Sequence, residues 1–531
     1  MAGVLPFRRH AEGYDRALAA AEAIAVRAAG GDDGPWPPTG FTVVKDRPMR
    51  VTLTGALPGP DGPVAVFVKV RRPAGGGARR RRRPRGAAEG HVLETLRARG
   101  VAVPDVLGWS ASPDTGVDVL LLRAVPGATD LATWAEAPRP HDERRAVAEA
   151  VGLLLRRAHD AGWSDRDVHR GNVLVTPTGP VLVDPGLSAP RAPLPPHRRV
   201  HALARAAHGL APDVRTGLAA LRAYAGGDRE TARRWFPLVA AAARPIARAY
   251  RRGRARRATR TGRHFETFPV GAGGRGVRAT PAAPAAWKDL AVALVAGDVA
   301  GARPLKADGR VVATRLPGRE QDVVVKRYDA VWRDRLRTPR ALRAFRRAYA
   351  LRVRGVACPE PLLAAADASG AGAYVAAAAG PRGAGAVDLH VATHGRGDAP
   401  PTLDALAPRA RRDALHRCGR FLRRLHDAEV SHRDLKAPNL VAWRGPRGAA
   451  FAVVDLDGAR LRSTPVPWRR RLRDLARLDA SAGPAVSRAD RVRVLRGYLA
   501  AFERAPVRLA DAARRVARAS ARKRGPSGAP R

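Results

Sequence analysis

Lysine is nearly missing from this chain: of 96 basic residues only seven are lysine and 89 are arginine. Such a bias replaces any lysine needed only for surface charge, so the survivors mark positions where a lysine does something specific. Cysteine is equally scarce. With Cys358 and Cys418 alone there can be no disulfide framework, and a reducing, cytoplasmic location is expected. No apolar run approaches the roughly 20 residues of a membrane-spanning helix. The segment Met1–Arg9, followed by acidic residues, has no secretory hydrophobic core. Aromatic residues make up 5% of the chain, with no stacking platform and no basic helix-turn-helix, so nucleic acid is not the expected partner despite a formal net charge of +48.

The charge has two readings. One is a codon-level preference for arginine and alanine that spreads cations over the whole surface. The other is local: the run from Arg79 to Arg83, with Arg85, falls in an expected solvated loop and is suited to lipid phosphates or an acidic glycolipid. Peripheral contact with an anionic membrane surface is therefore an expectation.

At 531 residues the chain exceeds one hydrophobic core, and it reads as a repeat. Lys69 sits in Val64-Ala-Val-Phe-Val-Lys69 and Lys326 in Val323-Val-Val-Lys326, each one cation in a β-branched strand. Preceding segments, Val43 to Thr54 and Leu305 to Thr314, give each half an antiparallel three-strand start. A helix then ends before Gly100-Val-Ala-Val-Pro104 in one half and Gly355-Val-Ala-Cys-Pro359 in the other, glycine and proline being stop signals. Long amphipathic helices, about 144–160 and 410–427, lead into loops rich in charge. The boundaries expected are a first domain at 1–265 with its small lobe at about 38–125, a linker at 266–287 that can also supply a sheet edge, a second domain at 288–510, and a basic disordered tail at 511–531.

Phosphoryl transfer needs a cation on the nucleotide phosphates, oxygen ligands for Mg²⁺ and an aspartate at the acceptor hydroxyl. In His432-Arg-Asp434-Leu-Lys436-Ala-Pro-Asn439, Asp434 can accept from a hydroxyl, Lys436 can neutralise the moving phosphoryl group and Asn439 can turn its amide oxygen to a metal. Asp455, ending a strand at Val453-Val-Asp455-Leu-Asp457, is the second expected metal ligand, with Asp457 as the alternative. Lys326 is the phosphate lysine. The first half is a looser copy. Asp167 and Asn172 keep the interval, Asp184 supplies the metal carboxylate, and Glu89 is the expected ion-pair partner of Lys69, but Asp165 replaces the histidine. In the second half the offset that gives Glu89 falls on Ala344, in a helix without a carboxylate.

Loop, spacing and strand aspartate together match the kinase signature. Neither half has a long activation segment closing in Ala-Pro-Glu, so a small or glycolipid acceptor is favoured over a polypeptide. The phrasing at Val323–Tyr328, Arg354–Leu362, His432–Asn439, Val453–Gly458 and Asp474–Ser481 resembles the lipopolysaccharide core kinase family, which includes heptose and Kdo kinases and InaA-like proteins. The first half resembles it through Val44–Pro48, Lys69 and Val181–Gly186. The resemblance implies an α+β fold of two tandem protein-kinase-like bilobal domains, with ATP and Mg²⁺ as cofactors and a sugar or glycolipid hydroxyl as acceptor at the inner face of the membrane. It carries Lys326, Asp434, Asn439 and Asp455, and Lys69, Glu89, Asp167, Asn172 and Asp184, into the site. The alternatives are a kinase for protein or another small molecule, and a membrane-associated pair of nucleotide-binding pseudokinases.

Overall fold

The structure is a computed structural model. It describes all residues except 1–6, 31–34, 48, 73–84, 113–116, 166–167, 211–213, 263, 281, 300, 306–307, 319–322, 331–336, 378–385, 389–405, 446–447, 484, 501–506 and 525–531. Asp167, the run Arg79–Arg83 and the last seven residues thus lie outside the described part. The chain divides into two compact units, Met1–Ala247 and Arg248–Arg531.

In the first unit six antiparallel strands form one sheet, in the order Phe7–His10, Val106–Ala111, Asp118–Arg123, Gly62–Arg71, Arg50–Gly59, Thr42–Arg47. Strand period 2 decides what each face does. Val64, Val66, Val68 and Val70 point to one face, where the helix Asp15–Ala28 covers them with Leu18, Ala21 and Ile24. Lys69 points to the other face, toward the helix Arg85–Ala98, whose Val92, Leu93 and Leu96 belong to the second core. The small lobe therefore begins before the expected residue 38, because Phe7–His10 pairs with Val106–Ala111 and the first helix seals the sheet.

The second unit repeats the plan with seven antiparallel strands. Val323 and Val325 face a core closed by Trp287 and the helix Ala291–Ala296, while Lys326 faces the helix Arg340–Val353. The stretch expected as a linker is part of this sheet. Phe265–Val270 and Gly274–Ala279 form a hairpin whose second strand pairs with Pro361–Ala366. Its glycine is a packing feature, since a Cβ on Gly276 would enter the ring of Phe268. The expected disordered tail is also corrected: Leu509–Arg524 is a helix that buries Ala512, Val516 and Ser520 at a four-residue interval.

Both large lobes are mainly helical and repeat small details. Gly152 on the helix His141–Asp160 and Gly419 on the helix Pro408–Asp427 let a second helix approach so closely that a Cβ would strike its backbone carbonyl. One turn or two later, His159 Nδ1 shares a hydrogen bond with the Tyr224 hydroxyl at 2.9 Å, and His426 Nδ1 with Tyr498 at 2.7 Å. Among the described residues no helix is long and apolar enough to cross a membrane.

Candidate active site

In the second unit the site is built where the small sheet meets the strand pair Leu440–Gly445 and Gly448–Val453. Lys326 Nζ lies 2.5 Å from Asp455 Oδ1 and 2.6 Å from Asp457 Oδ2. Burial pulls its ammonium pKa down, but Asp457 and Asp455 outweigh that and raise it, so the lysine stays charged. Asp455 takes a left-handed backbone (φ 52°), a conformation that costs a non-glycine residue about 1–2 kcal/mol and is kept here at the turn that aims its carboxylate.

The loop from Val430 to Asn439 is tied down from several sides. The buried backbone N–H of His432 donates to Asp474 Oδ2 at 3.0 Å, and Arg477 donates to the other oxygen at 2.8 Å. The His432 ring donates from Nε2 to the Asp455 carbonyl at 3.1 Å, and burial lowers its pKa, so it is a neutral spacer between loop and strand end. Ala437 N–H donates to Ser481 Oγ at 2.9 Å. Held this way, Asp434 stays 46% exposed by side chain with Lys436 Nζ at 3.0 Å. Asn439 Nδ2 donates to the Asp434 carbonyl at 2.7 Å, which leaves the amide oxygen as the atom able to meet a cation. Asn439 and Asp455 are hard oxygen donors on one segment, a set that suits Mg²⁺ completed by phosphate oxygens.

The first unit gathers its counterparts. Lys69 Nζ donates to Glu89 Oε1 at 2.6 Å and also pairs with Asp184, as expected from the sequence. Asn172 Nδ2 lies 3.4 Å from the Asp184 carbonyl, and Asp184 has the same φ of 52° as Asp455. Asp165 lies against Gly186, where a Cβ would touch its carboxylate. Asp167 is outside the described residues.

Three contacts were not foreseen. The helix Arg340–Val353 lacks a glutamate but sends Arg347 to Asp457, 3.3 Å from its carbonyl and 3.7 Å from Oδ1. Asp457 stands where the first half has Gly186, so the second carboxylate on the lysine comes from the strand turn instead of the helix. The loop anchor Asp474 has no counterpart: Arg199 and Arg471 make the same bonds, to Asp160 or Asp427 and to Tyr224 or Tyr498, and three residues on stand Ala202 and Asp474. Finally, Arg50 donates to Asp184 Oδ2 at 3.1 Å. The signal for Asp474 was present in the aligned runs Arg198-Arg-Val-His-Ala-Leu-Ala-Arg205 and Arg470-Arg-Leu-Arg-Asp-Leu-Ala-Arg477.

The family model "Lipopolysaccharide kinase (Kdo/WaaP) family" matches residues 78–205 and 323–498, more than half of the chain and once in each half. The chain belongs to the lipopolysaccharide kinase family. No curated protein matches. Among solved structures, a Mycobacterium tuberculosis PknI kinase domain is similar at 20% identity and a TM-score of 0.23, over 38% of this chain and 96% of that one. The Leishmania major MAP kinase LmaMPK10 is similar at 16% identity and a TM-score of 0.22, over 34% and 52%. Family membership makes the protein a phosphotransferase of the kinase type, in tandem copies.

Proposed function

We propose that the second half of this lipopolysaccharide kinase-family protein transfers the γ-phosphate of ATP, with Mg²⁺, to a hydroxyl of a sugar on an envelope glycolipid, the lipopolysaccharide core being the best candidate. The observation that carries the reading is the convergence of Lys326, Asp455, Asn439 and an exposed Asp434 on one anchored loop and strand end. Lys326 binds the nucleotide phosphates, and Asn439 and Asp455 hold the cation. The cation, when bound, bridges phosphate oxygens and offsets their charge. Asp434 orients the acceptor hydroxyl and takes its proton as the new O–P bond forms and the bond to the departing ADP breaks. Lys436, beside Asp434, offsets charge on the moving phosphoryl group.

The acceptor class follows from what surrounds Asp434. From Asp455 the chain makes only the short strand Ala459–Leu461 before the helix starting at Trp468, so no long segment is present to bind a polypeptide. The net charge of +48 fits work at an anionic membrane surface. The first half, with Asp165 for the histidine and Ala202 for the loop anchor, is the non-transferring copy.

The test is incubation with γ-labelled Mg-ATP and two acceptors side by side, a lipopolysaccharide-type glycolipid extract and a mixed protein fraction. Label in the lipid phase, absent when Mg²⁺ is chelated, is the expected result. Label confined to protein would overturn the acceptor assignment.

A further inference from the structure

The carboxylate that would hold a metal in the first half is already neutralised twice. Asp184 is paired with Lys69 through one oxygen and with Arg50 through the other, at 3.1 Å. Burial alone would raise this carboxyl, yet Lys69 and Arg50 hold it well below the usual carboxylate range. Arg71 adds a third cation, 3.4 Å from Glu89 and 3.7 Å from Asp118. Lys45 stands near enough that, after burial, the charge of Arg50 is the main influence lowering its pKa.

Strand register explains why only one half is built this way. Thr52 lies opposite Lys69, so Arg50, two residues earlier, shares the lysine's face. In the second half Val311 lies opposite Lys326, and Arg310, one residue earlier, points to the other face and pairs with Asp329 at 2.7 Å. Asp455 has no arginine counterpart there among the printed ion pairs of the described residues; its cation is Lys326, shared with Asp457. Two polar atoms on the Lys69 face are buried without a partner, Arg50 Nε and the Thr52 hydroxyl. Buried donors left unpaired are costly, and both belong to the wall facing the phosphate lysine.

We infer that the first half binds a polyphosphate group directly through Arg50, Lys69 and Thr52, without a divalent cation. The inference rests on this cleft being the counterpart of the nucleotide site proposed for the second half. A cation brought to Asp184 would meet the Arg50 guanidinium at close range, whereas a phosphate meets donors already in place. The ligand is a nucleoside triphosphate or a bare polyphosphate, which share this chemistry.

The experiment uses the full chain carrying Lys326→Ala, so that the first site alone reports. Calorimetric titration with ATP, and separately with tripolyphosphate, is run in EDTA and in Mg²⁺. One site per chain is expected in EDTA with no gain from Mg²⁺. Arg50→Ala should weaken it at least tenfold, and Arg50→Lys should retain part of the affinity. Asp184→Asn should tighten metal-free binding by removing an opposing charge, a sign that misfolding does not produce. ATP binding tighter than tripolyphosphate assigns a nucleotide, and equal affinities assign the bare polyphosphate. Binding seen only with Mg²⁺, EDTA-resistant binding unmoved by Arg50→Ala, or no binding in this background overturns the inference. Mg-dependent transfer by the unaltered second site would survive each of those outcomes, which keeps the two readings separable.

Discussion

In the first half the strand lysine meets a glutamate from the neighbouring helix and an aspartate already claimed by an arginine. In the second it meets two aspartates of one turn, and the helix contributes an arginine to the outer of them. The catalytic loops differ in the same spirit: one is anchored through His432 and Asp474, the other has Asp165 and Ala202 at those places. Duplication preserved what packs, such as the glycine helix crossings and the His–Tyr pairs, and let go of what binds and reacts. Losing one hallmark therefore does not mark a half as dead. What counts is whether another residue has taken over the contact, as Asp457 has for the missing glutamate.

The sharpest way to break this comparison is at the two loop aspartates. Asp434→Ala is expected to lower kcat about 1,000-fold, within the range for removing a positioned general base, while Asp167→Ala changes it less than about threefold. Next comes the exchange of ion pairs. Asp457→Gly, which copies Gly186, should cost about 30-fold in kcat/KM, and adding Ala344→Glu, which copies Glu89, should restore most of it. Failure of the rescue with intact folding would show that Asp457 does something other than hold Lys326.

A smaller effect is expected at the loop anchor. Asp474→Ala leaves the His432 N–H and Arg477 without their buried acceptor, a loss of about 2 kcal/mol with a melting temperature several degrees lower and kcat reduced about tenfold. The smallest difference is in acid. Burial pushes His159 down to about 4, with Arg199 adding to it, so the unfolded chain takes this proton first. Its stabilising effect is whole above about pH 6.5 and is lost as pH falls toward 4, a span of about 3 kcal/mol. His426 is lowered too, but Asp474 opposes the shift. Hydrogen exchange followed by half should show the first half loosening earlier between pH 7 and 5, and His159→Gln should remove the difference.

Much of this was legible in the sequence because chemistry restricts the residue types. With so few lysines, Lys69 and Lys326 stood out, and their β-branched flanks placed them on strands facing a helix, as found. Glycine-proline stops placed those helices, and the Lys69–Glu89 pair followed from the offset to Gly100. Composition misled at 266–287, where Gly276 makes room for Phe268 and does not mark a flexible linker. It misled again at the C-terminus, where the dense arginines of Leu509–Arg524 hid the Ala512, Val516 and Ser520 face. The Arg50 contact was beyond reach for another reason. Arg50 and Arg310 look equivalent in sequence, and only a one-residue difference in strand register sends them to opposite faces.

The central claim is that the second half carries the transfer. Its most direct test is label from γ-labelled Mg-ATP in the glycolipid fraction, compared for the unaltered protein, Asp434→Ala and Asp167→Ala. The account predicts label that disappears with Asp434→Ala and persists with Asp167→Ala. Label that persists with Asp434→Ala, or is lost with Asp167→Ala alone, would contradict it.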